Sequence, residues 1–150
     1  MFLTKNIQEY ICFSEAKLSD ALSKINDNKA RVVFIVTEHG KLVGSLSDGD
    51  VRRWLTESNK IDLAVPVKEI MNPLVKAVDF KTDKSEIEAL FINGVDCIPL
   101  VDSANHLIQL AFEKQDGFFV GDREISESSA SFIIAEIGNN HQGDIKLAKE

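Results

Sequence analysis

The 150-residue chain has little of what commits a protein to a special environment or chemistry. It has two cysteines, Cys12 and Cys97, each inside an apolar stretch, ICF and CIPLV. No second cysteine or histidine lies at ligand spacing, which argues against a disulfide framework and a Cys/His metal site. The two thiols read as reduced, buried, small hydrophobes. No apolar run approaches the length of a membrane span. The N-terminus, MFLTKNIQEYICF, lacks a cationic stretch followed by an apolar core, so it is not a secretory signal. These absences point to the cytoplasm. Positive charge is also scarce: 17 Lys and Arg against 24 Asp and Glu give a net charge of −7. That argues against nucleic acid as a partner, because binding a phosphate backbone needs a cationic face. What the chain does have is 44% hydrophobic residues, enough for one compact core or two small cores packed together.

The chain repeats itself. Tyr10 to Phe13 reads as a short strand. Leu18, Ala21, Leu22 and Ile25 follow at i, i+3, i+4 and i+7, one face of a helix. Val32-Val33-Phe34-Ile35-Val36 is a β-branched run typical of a strand covered on both faces. Thr37 to Gly40 is a turn, Lys41 to Leu46 the return strand, and Ser47-Asp48-Gly49-Asp50 opens a second helix through Trp54-Leu55. The order is β-α-β-β-α. A second copy runs from Val75: a strand to Val78, and a helix over Ile87, Leu90 and Phe91 with Asp83 and Glu86 spaced as a capping box. The strand Cys97 to Val101, a turn at Asp102 to Asn105, and the strand His106 to Ala111 follow, then a weaker helix. Pro99 inside its strand suggests an edge or a bulge. Val36, Leu42 and Val43 recur as Val101, Leu107 and Ile108 at an offset of 65 residues. One unit alone exposes a sheet face; two units packed together bury it.

Residues 5–118 resemble a pair of CBS motifs. VVFIVTEHGKLVGSLSDGDVRRWL is similar to the second half of such a motif, and VKEIMNPLV resembles the segment that joins one motif to the next. The resemblance implies an α/β fold of the α+β kind. Each motif is βαββα, residues 1–60 and 61–120, and together they form one pseudo-symmetric Bateman module. It also implies that such modules self-associate as homodimers or tetramers. Gly44-Ser45-Leu46-Ser47-Asp48-Gly49-Asp50 matches the family's adenosine-binding signature, making an adenosine nucleotide the candidate regulator.

The residues support that chemistry independently. Gly44 lets a ligand approach the backbone closely. Ser47 sits where a helix begins, and Asp50, one turn on, has two acceptor oxygens for a ribose diol. Helix-start N–H groups favour an anion, and Arg52 or Arg53 can reach a phosphate. A plainer reading stands beside it: Ser47 is a good N-cap, and Asp50 completes a capping box, with no ligand at all.

In the second repeat the positions of Gly44, Ser47 and Asp50 hold Gln109, Phe112 and Gln115. At most one nucleotide site per chain is expected, the second being filled by its own side chains or used for packing.

After Val120 the sequence changes character. Residues 121–131 are polar and serine-rich and read as a linker. Residues 132–150 begin FIIAEIGNNHQGD: an apolar strand, a Gly/Asn loop and a helix start. This segment resembles the first βα unit of the sialic acid synthase family. The resemblance implies a TIM barrel that condenses phosphoenolpyruvate with an N-acyl hexosamine, assisted by a divalent metal. It places Glu136, Asn140 and His141 at the catalytic end of the first barrel strand. By this reading the chain carries a regulatory module and a truncated first barrel unit, and these residues alone perform no reaction. No cofactor or metal belongs to the module itself.

Three roles remain in view: a nucleotide-sensing regulator of such a synthase, a purely architectural oligomerisation domain, and the CBS pair of a sugar nucleotidyltransferase. The last should show a Gly-rich nucleotide loop after the linker, and AEIGNNHQG is not one. The asymmetry between the repeats predicts no more than one adenosine-nucleotide equivalent per chain by titration calorimetry. Two equal sites would overturn it.

Overall fold

The computed structural model describes residues 1–28, 30–58, 61–91, 95–113, 118–120 and 123–125. The chain divides into two units, Met1–Lys114 and Gln115–Glu150. The first contains strands β1 (Phe2–Thr4), β2 (Ile11–Phe13), β3 (Val32–Val36), β4 (Leu42–Ser47), β5 (Val78–Asp79), β6 (Cys97–Val101) and β7 (Leu107–Phe112). Its helices are α1 (Leu18–Asp27), α2 (Asp48–Glu57) and α3 (Lys84–Ala89). In the second, β8 (Phe118–Val120) pairs antiparallel with β9 (Arg123–Ile125).

Two sheets carry the first unit: β2-β3-β4, and β1-β7-β6-β5. In each repeat the first strand runs parallel to the second and the second antiparallel to the third. The 65-residue offset holds residue by residue. Val32 pairs with Ser47 and Cys97 with Phe112; Ile35 pairs with Gly44 and Leu100 with Gln109. Even the irregularity recurs, between Ile35 and Val36 and between Leu100 and Val101. Pro99 lies beside it, and β5 pairs with Leu100 and Val101, so among the described residues β6 has no strand beyond it at the proline.

The sheets meet face to face. Phe34, Val36 and Leu42 from the first repeat share a cluster with Cys97, Val101, Leu107, Leu110 and Phe112 from the second. On its other face the first sheet is covered by α1 and α2, through Leu18, Ala21, Ile25 and Val51. The second is covered by Ile87 and Phe91. Helix, sheet, sheet and helix form successive layers, so β3 is buried on both faces, as its unbroken apolar run requires. Trp54 packs partly buried against the first cluster. The two thiols are free and buried, and burial pushes Cys97 up to about 12.

The hairpin turns are joined reciprocally. Leu42 N–H donates to Asn105 O at 2.9 Å, and Leu107 N–H donates to Gly40 O at 3.0 Å. These are the same bond under the repeat offset. Gly40 and Asn105 both have positive φ, +78° and +65°, as does Arg31 elsewhere at +50°, and glycine and asparagine tolerate that backbone best. Asn105 adds a side-chain bond, Nδ2 to Leu42 O at 2.7 Å.

Several expectations need correction. The strand β1 had no local signal, yet it pairs with β7 and completes the second repeat's sheet. Asp83 is the N-cap of α3 but makes no side-chain capping bond, so the Asp83/Glu86 box does not form. The strand expected from Val75 is only Val78–Asp79. Where a weaker helix was expected after β7, Phe118–Val120 is a strand, β8, and residues 114–117 lie outside the described residues. Arg123–Ile125, inside the stretch read as a linker, is β9. The rest of 121–131 lies outside the described residues, as does the whole of 132–150, and with it Glu136, Asn140 and His141.

Leu110 is fully buried between the sheets. Leu110→Ala should cost about 2–5 kcal/mol in denaturant unfolding. Leu74→Ala, at an 84% exposed position, should change stability by less than about 0.5 kcal/mol.

Candidate functional site

The residues singled out in the first repeat lie on β4 and the first turns of α2. Ser47 is the N-cap residue of α2, with extended backbone at φ −118° and ψ 168°. Its hydroxyl accepts from Asp50 N–H at 3.4 Å, and the Asp50 carboxylate reaches back to the Ser47 amide at 2.9 Å. The capping box inferred from the Ser-x-x-Asp spacing is therefore formed. The Ser47 hydroxyl also donates to Asp50 Oδ2 at 2.6 Å. Arg53 Nη2 pairs with the other oxygen, Oδ1. The Asp50 side chain is only 10% exposed, whereas that of Arg53 is 69% exposed. Burial pushes the Asp50 carboxyl up, but the bonds from Ser47 and Arg53 outweigh it and hold it below its ordinary value. Arg52 is exposed and has no ion-pair partner among the described residues.

Gly44 does permit a close approach, but the approaching group is the protein itself. A Cβ there would stand 2.7 Å from Met71 Sδ and 2.8 Å from Asn72 O. The inter-repeat segment docks on this edge of β4 through Ser45 N–H to Asn72 O at 3.0 Å and Asn72 N–H to Ser45 O at 2.8 Å. Before reaching Gly44 it is strapped along α1: Leu18 N–H donates to Val65 O, and Val67 N–H to Ala16 O, both at 2.9 Å. Val67 is fully buried. Met71 and Asn72 therefore belong to the surroundings of the site. Their signal in the sequence was VKEIMNPLV itself, which marks a joining segment but not the strand it crosses.

A cavity of about 420 Å³ opens beside the start of α2, lined by Leu22, Ile25, Asn26, Arg31 and Asp48. It includes none of Gly44, Ser47, Asp50, Arg52 or Arg53, so the candidate residues are not gathered in it. No group of three or more potential metal ligands occurs among the described residues. No helix among them is long and apolar enough to cross a membrane.

The corresponding place in the second repeat is built differently. Phe112 pairs with Cys97 just as Ser47 pairs with Val32. Its ring is stacked on Phe2, with centroids 4.9 Å apart and planes 10° apart, and Tyr10 tilts against it at 5.0 Å. Aromatic surface replaces the hydroxyl there. Gln109 stands opposite Leu100, in the position of Gly44, and is half-buried. Gln115 lies outside the described residues.

This architecture of paired sheets and reciprocal hairpins resembles that of solved CBS-domain pairs. Residues 4–57 match the model of the CBS domain family. A solved structure of CbpB in complex with c-di-AMP is similar to 74% of this chain and 75% of its own, with a TM-score of 0.65 and 15% identity. The CBS domain pair of MJ0100, in complex with 5′-methylthioadenosine and S-adenosyl-L-methionine, covers 73% of this chain and 87% of its own, with a TM-score of 0.57 and 21% identity. These likenesses are of fold. An uncharacterized protein of Chlamydia muridarum is 26% identical over 104 residues, which is 68% of this chain. The chain spans about a third of the length of that curated relative, 32%.

Two outcomes follow from the site geometry. Gly44→Ala forces a methyl group against Met71 and Asn72 and should destabilise the domain by about 1–3 kcal/mol in denaturant unfolding. Asp50 titrates below its ordinary value of 3.8 in the folded state. Its contribution to stability is complete above that value and is lost as pH falls through the folded one. Asp50→Asn should therefore flatten the fall in melting temperature seen on acidification below about pH 4.

Proposed function

We propose that residues 1–113 form a regulatory CBS pair that binds one adenosine nucleotide at the start of α2, and that binding biases an attached enzyme. The supporting observation is the Ser47–Asp50 constellation. It combines a carboxylate whose side chain is only 10% exposed, a hydroxyl and a helix N-terminus, and it is present in one repeat only. In this reading Asp50 takes the ribose diol, and Ser47 holds Asp50 in place. The helix start and an arginine take a phosphate. Complexes of similarly folded domains with c-di-AMP and with adenosyl compounds favour this ligand class. Phe112 and its aromatic neighbours fill the corresponding place in the second repeat, which favours a single site.

The attached enzyme is read from FIIAEIGNNHQG alone. We assign it to the sialic acid synthase type, with Glu136, Asn140 and His141 in its active site and a divalent metal assisting the condensation. Self-association of the pair would place copies of that enzyme side by side. Regulation then requires the nucleotide to favour one arrangement of the assembly over another.

A second reading is favoured by one specific observation. The capping box accounts for both Ser47 and Asp50 without any ligand, and the pair would then serve only as a scaffold. Thermal melting with AMP, ADP, ATP and S-adenosylmethionine separates the two. A ligand at 100 times its Kd should add about 2.7 kcal/mol of stability to the wild type and little to Asp50→Ala. No shift with any of the four selects the scaffold.

A further inference from the structure

We infer that Arg53 is a specificity-determining residue: it guards Asp50 against unphosphorylated adenosyl ligands and releases it to phosphorylated ones. The inference rests on the nucleotide reading above and adds a selection rule to it.

The argument is a count of acceptor positions. An ionised carboxylate offers about four lone-pair positions on its two oxygens. On Asp50, Oδ2 already accepts from the Ser47 amide at 2.9 Å and from the Ser47 hydroxyl at 2.6 Å. Arg53 Nη2 occupies a third position, on Oδ1. One position is left, whereas a ribose diol brings two O–H donors. The diol engages Asp50 through both hydroxyls only if one existing partner lets go.

The Ser47 bonds are the poorer candidates to yield. They close the capping box, and they lie within a side chain that is only 10% exposed. Arg53 is the opposite case. Its side chain is 69% exposed and held by that single ion pair. An exposed ion pair of this kind is worth a factor of roughly two to five in an equilibrium constant.

Release leaves a planar guanidinium one helical turn from the bound ribose, without a counter-ion. Arginine's fork matches a phosphate better than it matches a single carboxylate oxygen. A ligand with a 5′-phosphate gives Arg53 a new anion in exchange for the old one. A nucleoside gives it nothing, and a cationic adenosyl compound such as S-adenosylmethionine repels it. The Asp50–Arg53 pair thus acts as an internal stand-in for the ligand: the carboxylate waits for the sugar and the guanidinium for the phosphate.

The test is calorimetric titration of the full chain with AMP and with adenosine, in wild type, Arg53→Gln and Arg53→Lys. Circular dichroism melting checks that each variant folds. Wild type should prefer AMP. In Arg53→Gln, adenosine should bind roughly two- to five-fold more tightly, because its acceptor position is free, while AMP weakens about ten-fold. The preference for AMP should therefore collapse by at least about ten-fold. Arg53→Lys, which keeps the charge but loses the fork, should fall between the two. An AMP-to-adenosine preference that changes less than this in Arg53→Gln, with both ligands still binding, overturns the role of Arg53 and leaves the nucleotide site standing. Failure of both ligands to bind wild type overturns the site and this inference together.

Discussion

The structure depends on two sheets that cannot be left open. Each repeat has one helix-covered face and one bare apolar face, and a bare sheet face of that size does not survive in water. Packing the bare faces together resolves both problems at once and fixes how the repeats are related. The reciprocal bonds between the turns, Leu42 to Asn105 and Leu107 to Gly40, then hold the two halves in register at one end. The positive φ of Gly40 and of Asn105 follows from the same constraint, because each turn must present its carbonyl to the other repeat. Different residues meet the one demand in the two copies.

The site inherits its form from that arrangement. The β4–α2 junction is rigid because it is capped, and it is capped by the same two residues that suit a ribose. On the proposed reading, chemistry and stability draw on the same atoms. The second repeat shows the other way of filling the position: Phe112 is a core residue there, with Tyr10 partly buried against it and an exposed Phe2 stacked on its ring. The two repeats share a backbone plan and differ in what occupies one equivalent place.

Much of this was legible in the sequence because the signals are local and periodic. The alternation along Leu42–Ser47 and the apolar run Val32–Val36 define β4 and β3. The 65-residue offset carries the pairing register into the second repeat, bulge included. The Ser-x-x-Asp spacing gave the capping box directly. What escaped depends on partners distant along the chain. Phe2-Leu3-Thr4 is too short to have a period, and its partner lies more than a hundred residues away. The spacing of Asp83 and Glu86 looks like that of Ser47 and Asp50, yet the Asp83 side chain makes no capping bond. Gly44 reads from the sequence as room for a ligand, whereas Met71 and Asn72 of the joining segment occupy that space, because spacing alone does not say which group arrives. Arg52 and Arg53 both stand in the sequence as residues able to reach a phosphate; the pairing of Arg53 with Asp50, three residues earlier on the same helix, is visible only in the structure.

The first strand has a temporal consequence. Phe2, Leu3 and Thr4 pair with Phe112, Ala111 and Leu110, more than a hundred residues later in the chain. On a ribosome β1 has no strand to join until β7 has emerged, and the second sheet consists of β5 and β6 until then. Through that interval two large apolar side chains, Phe2 and Leu3, sit on an unpaired segment. The closure spans almost the full contour of the domain, so it carries the largest loop entropy of any strand pairing in the fold.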